Sequence, residues 1–152
     1  MHTLIIIGAK YLIYIIAFVA VIATLLSEKT VRWNIIKLAL LSFPIAYLLA
    51  FIAGHLFYDT RPFVVQHVEP LIPHGADNGF PSDHTLVAMV AATTIFVYRR
   101  KLGVFLGILA VLVGVSRVMA KVHYPIDIIG SIALAIASTC IAWIILRRFF
   151  RK

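Results

Sequence analysis

The sequence predicts an all-α polytopic membrane bundle of about five transmembrane helices, forming one membrane-embedded domain over residues 1–152. Three observations carry this. Hydrophobic residues make up 62% of the chain and charged ones 13%, where a soluble domain carries about 25% charged residues. The apolar residues gather in five runs, at about 4–26, 35–57, 85–98, 102–119 and 126–146. The basic residues lie between those runs rather than along one polar face. In lipid the backbone must satisfy its own hydrogen bonds, so such runs become helices.

The first run exceeds the roughly 20 residues a crossing needs. No basic leader precedes it, so it reads as a retained span rather than a removed signal peptide, with Lys10 inside it. The second run contains Pro44, a candidate kink. The third is short by itself and reaches spanning length if its helix starts near Ser82, after Pro81. The fourth and fifth are of full length. Between the second and third lies a loop of about 58–84, rich in Pro and Gly. Ordered loops of that length are often functional. Cys140 is the only cysteine and falls in the fifth run. That excludes a disulfide framework or a thiolate metal site.

Charge sets the orientation. Lys29, Arg32 and Lys37 follow the first run, Arg99, Arg100 and Lys101 the third, and Arg147, Arg148, Arg151 and Lys152 the fifth. Five crossings place all ten on one side, the cytoplasm by the positive-inside rule. Arg61, Arg117 and Lys121 fall on the other side, with the long loop. The net charge of +8 therefore suits anionic lipid headgroups. It does not form the basic face that nucleic acid requires.

The same topology brings four separate fragments to the outer end: Arg61-Pro62, Pro81-Ser82-Asp83-His84, Ser116-Arg117, and His123 with Asp127. Ionisable groups near membrane depth point to function. His123 and Asp127 are four apart and share a helix face, and Pro125 suits the first turn. A carboxylate on one imidazole nitrogen fixes the tautomer and leaves the other as a nucleophile. The pair also fits a plain helix start capped by Asp127, and the residues alone leave both readings open. Ser82, Asp83 and His84 open a helix whose free N–H groups and dipole suit a phosphate. His84 can protonate a leaving oxygen. Capping explains Ser82 and Asp83 but not a histidine entering lipid. Arg61 and Arg117 supply bidentate anion contacts, whereas snorkelling fits Lys121 better. All six histidines (His2, His55, His67, His74, His84 and His123) fall toward the outer face, which raises a metal cluster as a rival. No paired spacing such as H-E-x-x-H supports one, and arginines with helix N–H groups can neutralise the developing charge instead.

Pro81-Ser82-Asp83-His84 is similar to a P-S-x-H signature. Ser116-Arg117, His123 and Asp127 match S-R-x5-H-x3-D, and Arg61-Pro62 matches the end of K-x6-R-P. On these motifs the chain resembles the type-2 phosphatidic acid phosphatase family. The resemblance implies a core of six spans, one more than the five runs here, and no metal cofactor. It implies that His123 attacks phosphorus, Asp127 orients it, and His84 protonates the leaving group and then activates water. Arg61, Ser82, Arg117 and the backbone N–H of Asp83 would hold the phosphate oxygens. The lysine of the first signature falls at Gly54, leaving Lys10 or Lys121 as auxiliary candidates. The stretch 72–85, with Asp83 in its signature, resembles the bacitracin-resistance type of undecaprenyl-diphosphatase. That implies a polyprenyl diphosphate substrate, a role for Asp83 in recognising the diphosphate, and carrier recycling for the cell wall. It also implies a place in the bacterial inner membrane with the site facing the periplasm or exterior. The alternatives are a phosphatidylglycerophosphate or phosphatidate phosphatase and, from other classes, a small transporter or an inactive lipid-binding scaffold. The implied partners are the lipid substrate and membrane lipids, not nucleic acid, and the sequence carries no signal for oligomeric state.

Overall fold

The computed structural model describes residues 2–149. In chain order its helices are α1 (His2–Lys10), α2 (Leu12–Leu25), α3 (Lys29–Leu56), α4 (Pro62–Val65), α5 (Asp83–Tyr98), α6 (Arg100–Met119) and α7 (Pro125–Phe149). Among the described residues the only β pairing is a single antiparallel bridge between Thr60 and Asn78. Helices α3, α6 and α7 are each long and apolar enough to cross a membrane, and α1 with α2, bent by 44° at the break, passes the same test as a pair. Large apolar side chains such as Leu40, Phe51 and Ile129 cover the outside. This is a multi-pass membrane protein.

Two of the five expected spans differ from a simple rod. The third run forms α5, which starts beside Ser82 but has only 16 residues. At 1.5 Å per residue that is about 24 Å, short of a hydrocarbon layer of about 30 Å. It ends where Arg99 leaves helical geometry at φ −136°, and α6 starts at the next residue. The shortness is tolerable because α5 is the central element, packed by α2, α3, α6 and α7. Thr85, Leu86, Val90 and Ile95 on it are buried. Gly103 and Gly114 of α6 permit the close fit. A Cβ at Gly103 would overlap Phe96, and one at Gly114 would overlap Ile128 and press on Thr85.

The first run breaks at Tyr11. Its N–H still reaches Ile7 O at 2.9 Å, but Tyr14 N–H donates to Tyr11 O at 3.0 Å, a tightened turn of i→i+3 type. The packing partner changes there. Helix α1 lies mainly on α6, with Gly8 so close to Ser116 that a Cβ would overlap its hydroxyl. Helix α2 leans instead chiefly on α5. Ile5 and Ala9 of α1 also close against Ile72, Ala120 and Val122, tying the long loop to the bundle. Helix α3 continues unbroken through Pro44.

The end away from the loop carries the basic residues. Arg99 Nη1 donates to Ala23 O at 3.0 Å and Arg32 Nη2 to Ser27 O at 3.1 Å, satisfying carbonyls left open where α2 stops. Arg147 stacks 4.3 Å above Trp143. Arg151 and Lys152, counted with this end above, lie outside the described residues.

Candidate active site

His123 sits in the short turn from α6 to α7, and Asp127 in the first turn of α7. His123 Nδ1–H donates to Asp127 Oδ2 at 3.1 Å, and the same oxygen accepts the Tyr124 N–H at 2.9 Å. One carboxylate oxygen therefore caps the helix and holds the imidazole, so both readings of the pair are realised together. The proton on Nδ1 leaves a lone pair on Nε2. Two guanidinium groups face that lone pair, Arg61 Nη1 at 3.3 Å and Arg117 Nη2 at 3.4 Å. Burial lowers the His123 pKa. Asp127 opposes this through its hydrogen bond, and the two arginines add to the lowering. The ring is thus a neutral imidazole near pH 7, the protonation state a nucleophile requires.

Arg61 is fixed from every side. Its Nε donates to Asp77 Oδ1 at 2.8 Å, Nη1 to Val122 O at 2.8 Å, and Nη2 to Asn78 O at 3.0 Å. Burial works to raise the Asp77 carboxyl, and the hydrogen bond and charge of Arg61 outweigh it, holding it below the usual range. Asn78 pins the loop in turn. Its amide donates to Gly54 O at 2.8 Å, and its carbonyl accepts the N–H groups of Asp59 and Phe80 at 2.9 and 3.0 Å. Arg117, in the last turn of α6, meets His74 Nε2 through Nη2 at 2.8 Å, while its buried Nε has no partner among the described residues.

Ser82 is fully buried and precedes α5, yet makes no side-chain cap bond. Its hydroxyl accepts from Thr85 Oγ1 at 3.2 Å and keeps its own proton to give. Ser131 Oγ holds the Ser82 carbonyl at 3.0 Å. Beyond Ser82 the chain divides two cavities. Asp83 is exposed and lines one of about 580 Å³ with Gly54, His55, Tyr58 and Asn78. His84 lines another of about 300 Å³ with Lys10 and Arg117.

Of the two auxiliary lysines, only Lys10 reaches this cavity. Lys121 is exposed and its ammonium donates to Gln66 Oε1 at 3.3 Å. Gly54 shows why the first signature lacks its lysine at the expected position. A Cβ there would stand 3.1 Å from the Phe80 carbonyl and 3.6 Å from the Asn78 amide, so the loop has settled onto the bare backbone.

Sequence reasoning missed His74, Asp77, Asn78 and Asp59 as parts of the site. His74 was one of six outer histidines with no motif to single it out. Burial and the charges of Arg61 and Arg117 lower its pKa to about 4. Asp59 lies against Asp127, and burial with that neighbouring carboxylate pushes its own pKa up.

A family model described as the PAP2 superfamily matches residues 35–151. The chain belongs to the PAP2 superfamily. The matching residues Arg61, His84, Arg117 and Asp127 gather around His123. The chain is 44% identical over 80 residues to undecaprenyl-diphosphatase BcrC of Bacillus subtilis strain 168, covering 53% of this chain and 42% of that protein. It is 35% identical over 131 residues to the bacitracin transport permease protein BcrC of Bacillus licheniformis, covering 86% and 64%. It therefore spans less than two thirds of the length of either relative. The crystal structure of a transmembrane PAP2 type phosphatidylglycerolphosphate phosphatase from Bacillus subtilis shares the fold, with a TM-score of 0.65 at 25% identity over 99% of this chain and 77% of that one.

Proposed function

We propose that the protein is a metal-independent lipid phosphatase that removes the terminal phosphate of undecaprenyl diphosphate through a phospho-histidine, recycling the carrier lipid of the cell wall. The observation that carries the reading is His123. Its Nδ1 is tied to buried Asp127 and its Nε2 faces two guanidinium groups. The Nε2 lone pair attacks the terminal phosphorus, and a P–N bond forms as the bond to the bridging oxygen breaks. The bridging oxygen departs on the lipid with a proton from His84. Water, deprotonated by His84, then breaks the P–N bond and releases inorganic phosphate. Arg61, Arg117, the Ser82 hydroxyl and the Asp83 N–H hold the three phosphoryl oxygens, supplying the charge neutralisation that metal ions provide elsewhere. The similarity to undecaprenyl-diphosphatase BcrC of Bacillus subtilis supports the substrate. A cytoplasmic position of the basic end, as the positive-inside rule expects, supports a site that faces the cell exterior or periplasm.

The test is phosphate release by purified protein with EDTA present, from undecaprenyl diphosphate, phosphatidylglycerophosphate and phosphatidate in parallel. We expect release from the diphosphate, with acid-labile, base-stable labelling of the wild type and none of His123→Ala. Release only from a glycerolipid would retain the mechanism and move the role to phospholipid metabolism, the reading favoured by the likeness to the phosphatidylglycerolphosphate phosphatase. Release that survives His123→Ala, or none at all, would refute catalysis at this site and return the scaffold or transporter.

A further inference from the structure

Between the bend of the first span and the start of α5 lies the cavity of about 300 Å³ whose polar lining is Lys10, Tyr11, Tyr14, His74, His84 and Arg117. It adjoins the reaction centre through one nitrogen, because Arg117 Nη2 meets His74 Nε2 at 2.8 Å and His123 Nε2 at 3.4 Å. Lys10 is the only lysine, arginine or carboxylate in residues 2–26, and a charge kept within an apolar span marks a functional position. The span breaks by 44° at this point, and the residues on both sides of the break line the cavity.

The direction of the reaction assigns the space. His84, which protonates the leaving oxygen, lines it, so the group that departs from phosphorus departs into it. That group meets the Lys10 ammonium and the Tyr11 and Tyr14 phenols. Such a set suits a charged phosphate and is wasted on an alcohol. A second, apolar groove of about 370 Å³ follows the same helices onward past Ile13, Ala17, Val87 and Ala91. Behind the charged group, then, comes hydrocarbon.

We propose that the Lys10 cavity is the subsite for the phosphate that stays on the lipid, and that it makes the protein select diphosphates over monophosphates. This deepens the lipid-phosphatase reading and rests on it. When the bond from the terminal phosphorus to the bridging oxygen breaks, that oxygen remains on the retained phosphate, and Lys10 holds the negative charge of that phosphate as it leaves. With a phosphomonoester the leaving oxygen belongs to an alcohol and Lys10 has no anion to hold.

The experiment compares kcat/KM for a polyprenyl diphosphate and for phosphatidate in wild type, K10A and K10R. The diphosphate-to-phosphatidate ratio falls at least about tenfold in K10A, the size of one charge-assisted hydrogen bond, and K10R restores most of it. Calorimetric titration with inorganic pyrophosphate and with phosphate reads the subsite independently of turnover. K10A weakens pyrophosphate binding by about tenfold and phosphate binding much less. Equal losses on both substrates, or unaltered pyrophosphate binding, overturn the proposal. Faster hydrolysis of free pyrophosphate than of the lipid overturns its assignment to a lipid. Wild type that cleaves phosphatidate but no diphosphate refutes the substrate named above, and the titration then still decides whether Lys10 holds a second phosphate.

Discussion

The two flanks of Arg117 are built to different tolerances. Toward His123 most polar atoms are committed, Arg117 Nε and Asp127 Oδ1 being the exceptions. Arg61 spends all three of its nitrogens on Asp77, Val122 and Asn78, and His123 and Asp127 are 2% and 0% exposed. Toward Lys10 there is open space, a half-buried lysine, and phenols at Tyr11 and Tyr14 that are 54% and 68% exposed. Bond making needs a nucleophile held within tenths of an ångström. Holding a leaving group needs charge in roughly the right place, and it must let the product go.

Substitutions on the tight flank should therefore be the most damaging. His123→Ala is expected to cost about 10⁴-fold or more in kcat. Asp127→Asn should approach that, at about 10³–10⁴-fold, since an amide admits the wrong tautomer. A loss under tenfold for either would show that this flank does not carry the chemistry. The arginines sharpen the contrast. Arg61→Lys cannot reproduce three fixed contacts and is expected to lose about 10²–10³-fold. It should also speed hydrogen exchange across 77–80. Arg117→Lys breaks only the contacts to His74 and His123, so we expect a smaller loss and no change in exchange at that loop. Equal effects in both assays would erase the distinction.

The smallest expected effect concerns His74 and pH. Its folded pKa of about 4 lies below the ordinary histidine value of 6.5. Between those values the unfolded chain binds a proton that the folded chain refuses. Stability is therefore full above about pH 6.5 and declines as pH falls toward 4. His74→Asn should flatten part of the fall in Tm between pH 7 and pH 5. An unchanged slope would mean that the ring is not held neutral by its burial and its arginine neighbours.

Much of this was legible in the sequence, for physical reasons that also explain the gaps. Five apolar runs became helices because lipid leaves the backbone no alternative. His123 and Asp127 met because four residues make about one helical turn. Arg61 and Arg117 were readable as neighbours of His123 because the topology brings the ends of their spans to one end of the bundle. The break at Tyr11 was not readable. It depends on Gly8 seating against Ser116, more than a hundred residues away in sequence, and on the change of partner that follows. His74 was hidden because a loop without periodicity delivers it. Its value to the site comes from Arg117, a contact between distant positions. Likewise, the loop's descent onto Gly54 is a matter of fit at Phe80 and Asn78, which no local pattern records.

The apolar groove below Lys10 has a consequence for how encounters are counted. Lifting a long hydrocarbon chain into water costs about 0.8 kcal/mol for each methylene. On the proposed reading, a groove that accepts the chain at the side of α2 makes that extraction unnecessary, and the lipid enters sideways from among its neighbours. Supply then proceeds by diffusion in two dimensions. The governing quantity is the fraction of lipids in the surface that carry the head group, and diluting the vesicles at fixed composition leaves the turnover of each protein unchanged.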